Sequence, residues 1–506
     1  MKLSVIGVAV CSVLLLVACE QSDKVVTSNK DDVATTSSIS EQLPPASQAD
    51  IDAIAQQLVV KYRLVTNIPS DKCDAKKADG SCFEVELSLT AKAPIEVNDW
   101  SIFFSQISPI QSFESEEFTV NHINGDIHRI ALSDKFSGFA EGETKTLLFR
   151  ANFWSLSETD ALPNYIVSAD LIAAEQLEGV NARVIDSTRV QINQETGLEI
   201  LPYVEPYTEV NKHFKRTKSD QTKWLTAQRL FERNKAVSLH IADVDGQIIP
   251  TPKSIKVAGD SRLDITQGLA INWQNVKPEQ VNAALERIAT FGVLTSADGV
   301  SLKLSIKADE DKKLGSYQLT VNEAGIDISG VDANGVFNGL QSLAGLITID
   351  KPSIPHVEII DEPHYAFRGV LVDVSRNFRS KEFIIKLMDQ MAAYKMNKLH
   401  LHLGDDEGWR LEIPGLPELT DISSKRCFDP SETRCLMPQL GAGNEPTSEV
   451  NGYYSVADYQ EILTEANKRF IQVIPSLDMP GHSRAAVKAM TARYQKYMAL
   501  EQEEKA

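Results

Sequence analysis

The sequence predicts a multidomain protein: an N-terminal β-sandwich, an α+β middle domain and an incomplete (β/α) barrel of the TIM type. Three observations predict it. Apolar and polar residues alternate with period two across much of residues 60–200. Strand and helix patterns mix over 236–362. From about residue 364, apolar strands alternate with amphipathic helices, and polar residues gather where each strand ends. A chain of 506 residues is also too long for one ordinary core.

The first residues read as a targeting segment. Lys2 precedes an apolar run over residues 5–18, too short to span a bilayer and suited to a signal-peptide core. The run ends Leu16-Val17-Ala18-Cys19, which resembles a bacterial lipobox; a plain signal peptide with an incidental cysteine is the other reading. The resemblance implies that Cys19 is acylated and anchors the chain in a membrane. Glu20 after it favours the outer membrane, facing periplasm or exterior. Residues 19–47, rich in Ser, Thr, Asp and Gln, are expected to form a flexible tether.

The sandwich is expected over residues 48–202. Phe83, Val85, Leu87 and Leu89 alternate with Glu84, Glu86, Ser88 and Thr90, and Leu147, Phe149, Ala151 and Phe153 repeat the pattern. Trp100 and Trp154 read first as core residues, with exposed sugar-stacking platforms as the alternative. Residues 203–235 read as a charged, helical connector. In the α+β domain, Leu302, Leu304 and Ile306 alternate, as do Tyr317, Leu319 and Val321. Val336, Phe337, Leu340, Leu343, Ala344 and Ile347 then recur at helical spacing.

Residues 363–506 carry the barrel pattern. Arg368 to Val374 reads as a strand, and Ser380 caps a helix with Phe383, Ile384, Leu387, Met388, Met391 and Ala392 inward. Asn397 to Leu403 is a second strand. Ser455 and Asp458 form a capping box for a helix burying Val456, Tyr459, Ile462, Leu463 and Ala466, and Ile471 to Leu477 is a third strand. Parallel strands joined by helices place an active site at the strands' C-terminal ends.

Charge and cysteine usage bound the function. With 51 basic against 70 acidic side chains the net charge is −19, which argues against nucleic acid as a partner. Cys73 and Cys82, and Cys427 and Cys435, form two local pairs in polar, turn-rich segments. In an oxidising compartment they read as loop-closing disulfides. A four-cysteine zinc site is the rival reading, although neither pair has the short spacing of a zinc knuckle.

Three polar runs follow the strands. They are Asp373-Val374-Ser375-Arg376-Asn377-Phe378, then His400-Leu401-His402-Leu403-Gly404-Asp405-Asp406-Glu407-Gly408-Trp409-Arg410, then Asp478-Met479-Pro480-Gly481-His482. In combination and order they resemble glycoside hydrolase family 20, the β-N-acetylhexosaminidases, and within it the bacterial chitobiases. The resemblance covers nearly the whole chain, the sandwich looking like that family's carbohydrate-binding-type domain. It implies release of terminal N-acetylhexosamine from chitin oligosaccharides or similar glycans, with no metal or other cofactor. It implies that Arg376 grips sugar hydroxyls, a task suited to a planar fork of donors. Asp405 and His482 correspond to a supporting pair beside the catalytic acid, where a carboxylate orients an imidazole. His402 and Asp373 are candidate supporting residues, His400 reads as a packed strand histidine, and Asp406, Glu407 and Trp409 as loop-shaping residues. In the family's mechanism the substrate's acetamido oxygen replaces the protein nucleophile, so one acid and an acetamide-steering group suffice.

The sequence departs from that pattern in one respect. The family's adjacent Asp and Glu after the fourth barrel strand have no counterpart, since no Gly-Gly-Asp-Glu-like run occurs and only residues 483–506 follow His482. The stretch 364–506 also falls short of the roughly 250 residues of a complete barrel. A C-terminally truncated chain is therefore expected, with doubtful turnover of its own. Two other classes remain open. One is a non-catalytic glycan-binding lipoprotein. The other is a metal-dependent amidohydrolase, because His400 and His402 on one strand resemble that group's metal motif.

Overall fold

A computed structural model describes residues 43–169, 182–215, 219–221, 224, 227–238, 246–348, 350–444 and 448–502. The expected signal peptide, Cys19 and nearly all of the tether lie outside the described residues. Among those described, no helix is long and apolar enough to cross a membrane.

The alternating segments form two antiparallel sheets packed face to face. One holds Leu58–Thr66, Cys82–Ala91, Thr144–Asn152 and Ile110–Glu114 in that order. The other runs Phe118–Asn124, Ile127–Leu132, Trp100–Ser105, Ile166–Ala169 and Arg183–Val184. Phe83, Val85, Leu87, Leu89, Leu147 and Phe149 all turn into the shared core. Each large apolar side chain so buried contributes about 1.5–3 kcal/mol. Trp100 is buried there, its indole N–H donating to Val97 O at 3.1 Å.

Two expectations for this region need correction. The alternation stops at Asn152: Phe153 takes a left-handed φ of 66°, and Phe153 and Trp154 are exposed. Trp154 therefore lies outside the core and stacks on Phe214 at 4.5 Å. The segment expected as a helical connector is partly sandwich. Tyr203 and Tyr207 are buried in its core, and only Ala227–Lys235 is helical.

The α+β domain is a six-stranded mixed sheet in the order Ser254–Asp264, Ser353–Asp361, Tyr317–Asn322, Gly325–Gly330, Val300–Ile306, Leu269–Gln274. Helices Asn282–Ala289 and Ala333–Gly345 share its apolar core. Asp332 caps the second, accepting from Gly335 N–H at 2.7 Å. At the junction with the next domain, buried Lys395 donates to Asp361 Oδ2 and to Tyr317 OH, each at 2.9 Å.

The last region has three parallel strands, β1 (Gly369–Asp373), β2 (Lys398–Asp405) and β3 (Gln472–Leu477), with β2 in the middle. Helices α1 (Lys381–Ala393), α2 (Val456–Asn467) and α3 (Arg484–Ala499) alternate with them. Ser380 caps α1, and Ser455 with Asp458 forms the capping box of α2. The sheet is open among the described residues, so the barrel arrangement is present without closure. Phe383 and Leu463, expected inward, are exposed. The apolar stripe of α1 is wider than the face it buries, and the Arg379 guanidinium covers the outward Phe383 ring at 5.7 Å.

Candidate active site

Register across the three strands builds the site. Asp373 of β1 stands opposite His402 of β2, and His402 stands opposite Ser476 of β3. Residues aligned this way point to one face of a parallel sheet, which makes a polar row near the strands' C-terminal ends. His402 Nδ1 lies 2.9 Å from Ser476 Oγ, and His400 Nε2 lies 2.8 Å from the same oxygen. His402 Nε2 reaches Asp405 Oδ2 at 2.8 Å.

The three residues singled out by sequence converge on that row. Arg376 Nη2 is 2.8 Å from Asp405 Oδ2, and its Nη1 donates to Asp373 Oδ2 at 2.7 Å. His482 Nδ1 is 3.2 Å from Asp405 Oδ1 and equally far from Asp406 Oδ2. Asp405 has only 1% of its side chain exposed, whereas His482 shows 60%. The guanidinium of Arg376 thus faces carboxylates on both terminal nitrogens and keeps a second N–H on each. His482 adopts a left-handed φ of 51°, an uncommon geometry for a non-glycine residue and one that collects at functional sites.

The electrostatics follow from burial and neighbours. Burial alone pushes the Asp405 carboxyl up. The Asp406 N–H, His402, Arg376 and His482 outweigh that and hold it below the usual carboxylate range. The Asp405 and Asp406 carboxylates raise the His482 imidazole above its ordinary value. Burial pushes the Glu407 carboxyl up. Glu407 is more than a loop residue, because its Oε2 sits 3.3 Å from Arg376 Nε. Asp406 also serves α3, accepting from Arg484 N–H at 3.0 Å in the first turn, where a carboxylate suits the helix dipole.

Two buried arginines hold the loops in place. Arg410 donates to the carbonyls of Val374, Ser375, Ser424 and Gly452 at 2.7–3.1 Å. Burial lowers its pKa to about 9 and that of Arg426 to about 10. Arg426 Nε donates to Glu407 O at 3.0 Å, and its Nη2 reaches Arg376 O. Only glycine fits at 408, since a Cβ there would stand 2.5 Å from Arg410 Nη2 and 2.7 Å from Ser375 O.

Both cysteine pairs are disulfides, Cys73–Cys82 and Cys427–Cys435. The second closes the loop carrying Phe428, whose ring meets Phe103 of the sandwich at 4.9 Å. Beyond it, Leu440 N–H donates to Asp126 Oδ2 at 2.8 Å and Gly441 N–H to Ser105 Oγ at 3.1 Å. The sandwich therefore braces a loop of the site-bearing region.

Two trios bring possible metal-ligand atoms within 4.8 Å of one another: His402, Asp405 and Asp478, and Asp405, Asp406 and His482. Both share Asp405, whose Oδ2 already meets the Arg376 cation and His402. A metal ion would have to displace that guanidinium, so the donor set fits a cation poorly. His400 and His402 both turn a nitrogen to Ser476, so they offer no open metal pair. Sequence reasoning missed Ser476 and the reach of Glu407. Ser476 lies in the third strand run, two residues before Asp478, and carried no signal of its own.

Comparisons with known proteins agree with this architecture. A model described as "Putative carbohydrate binding domain" matches residues 57–228, "Glycosyl hydrolase family 20, domain 2" matches 245–362, and "Glycosyl hydrolase family 20, catalytic domain" matches 365–506. A Beta-hexosaminidase of Vibrio vulnificus is 45% identical over 461 residues, 89% of this chain and 52% of that protein. An N,N'-diacetylchitobiase of Vibrio harveyi is 38% identical over 476 residues, 92% of this chain and 52% of that protein. The chain spans about half the length of the curated relatives it matches. Among solved structures, the GH20 Exo beta-N-Acetylglucosaminidase from Vibrio harveyi in complex with N-acetylglucosamine gives a TM-score of 0.62. At 21% identity, over 86% of this chain and 59% of that one, this likeness speaks for the fold.

Proposed function

The chain belongs to glycosyl hydrolase family 20, and from that premise we propose that it supplies the sugar-gripping half of a β-N-acetylhexosaminidase active site. The substrate class is a glycan ending in N-acetylhexosamine, chitin oligosaccharides included. The observation that carries this reading is the meeting of Arg376, Asp405 and His482 at the ends of three different strands. The two N–H groups of Arg376 that face away from its carboxylate partners suit vicinal hydroxyls of a terminal sugar. Asp405 steadies His482, which is exposed enough to meet a bound molecule. An imidazole held protonated by two carboxylates favours negative charge beside it, so it supports an acid that must part with its proton. The substrate's own acetamide acts as the nucleophile in the family reaction, so no second protein carboxylate has to attack.

Export with a lipid anchor belongs to the same reading. The run Leu16-Val17-Ala18-Cys19 and two disulfides support it, because such bonds persist in oxidising compartments.

The test is hydrolysis of a chromogenic β-N-acetylglucosaminide by the product of the gene encoding this chain, against the matching β-glucoside. Release from the acetylated sugar alone, lost in Arg376→Ala, is expected. Retention on chitin with no hydrolysis would overturn the enzymatic reading in favour of glycan binding.

A further inference from the structure

A hydroxyl on β3 sits between two histidines of β2. Ser476 Oγ contacts His400 Nε2 at 2.8 Å and His402 Nδ1 at 2.9 Å, and His402 passes the contact on to Asp405 at 2.8 Å. The rows Asp373–His402–Ser476 and Leu371–His400–Ile474 are set by strand register, so the cluster is built into the sheet. We infer that Ser476 is a positioning residue: it locks buried His402 as the neutral Nε2–H tautomer and thereby fixes Asp405 beneath His482.

The directions of the hydrogen bonds follow by elimination. An ionised Asp405 only accepts, so His402 Nε2 carries a proton. Asp478 adds a second carboxylate, its oxygen within 4.8 Å of the ligand atoms of His402 and Asp405, and favours the same proton position. In a neutral ring Nδ1 is then bare and needs a donor. Ser476 Oγ–H supplies it, and the Ser476 lone pairs receive His400 Nε2–H. Every proton in the chain points toward Asp405. The other face of that carboxylate, Oδ1, takes the Asp406 N–H at 2.7 Å and His482 Nδ1 at 3.2 Å.

Without the hydroxyl, His402 has no donor at Nδ1, and its two tautomers become comparable in energy. In the Nδ1–H form a bare Nε2 lone pair faces Asp405 at hydrogen-bond distance. That repulsion disfavours the carboxylate and loosens its hold on His482, which also faces Asp406 and is opposed by Arg376.

This inference rests on the proposed site only for its catalytic meaning, because the tautomer can be read without substrate. Two-bond proton–nitrogen correlation on histidine-labelled protein separates bare from protonated ring nitrogens. His402 is assigned by its disappearance in His402→Gln. The wild type should show His402 neutral with Nε2–H at pH 7. Ser476→Ala should show mixed tautomers and a His482 titration lowered toward the ordinary value. Ser476→Thr, which keeps the hydroxyl, should retain both wild-type features. An Nδ1–H or doubly protonated His402 in the wild type would overturn the inference, as would a Ser476→Ala variant with unchanged His482 titration. If Ser476→Ala does not fold, the wild-type tautomer and Ser476→Thr decide: a lowered His482 titration in the threonine variant overturns it. Loss of glycoside hydrolysis in the gene product with the tautomer intact would count against the enzymatic reading alone.

Discussion

His482 Nδ1 stands 3.2 Å from Asp405 Oδ1, joining the loop after the third parallel strand to the end of the second. One partner is sealed from solvent and the other is open to it. This pair turns a local motif at each strand end into a single site.

The pair sets a pH dependence. Because Asp405 and Asp406 raise the His482 pKa, the interaction favours the imidazolium. Its contribution is complete below the unfolded-state value of about 6.5 and fades as pH rises through the folded value. NMR titration should place His482 above that ordinary value, and Asp405→Asn should bring it down. An identical titration curve in the variant would contradict the ion pair.

Arg410 predicts a large stability effect. Arg410→Met leaves the buried carbonyls of Val374, Ser375, Ser424 and Gly452 without their donor. The expected loss is about 3 kcal/mol or more, read from the urea transition of the site-bearing region. Gly408→Ala should cost about 1–3 kcal/mol by overpacking the same guanidinium.

Opening the second disulfide should loosen the brace between domains. Replacing Cys427 and Cys435 by serine removes a short cross-link, for an expected loss of about 2–3 kcal/mol. Faster proteolysis within residues 427–442 should accompany it, since Phe428 and Leu440 dock on the sandwich there. Unchanged cleavage would mean that the docking holds without the bond.

Lipid attachment has a direct assay. Radiolabelled palmitate should enter the wild type and not Cys19→Ala; equal labelling would rule out this anchor.

Much of the architecture was legible because its signals are local. Strand alternation in residues 83–89, the caps at Ser380 and Ser455 and the three strand-end motifs each lie within a few residues. Where one face had to be chosen without knowing its partner, sequence reading failed. Phe383 and Leu463 turned outward, Trp154 left the core where Phe153 broke the strand, and Tyr203 and Tyr207 joined a core expected to end before them.

The amino-acid order by itself determined which chemistry collects at each strand end, since a motif and the strand that carries it are contiguous. It also determined the family, through the combination of Arg376, Asp405 and His482. Only the tertiary structure decided that Ser476 meets His402, 74 residues away along the chain, and that Glu407 reaches Arg376. The reason is geometric. A shift of one residue between neighbouring strands would turn every side chain to the opposite face, and the register is set by packing of the whole sheet and its helices.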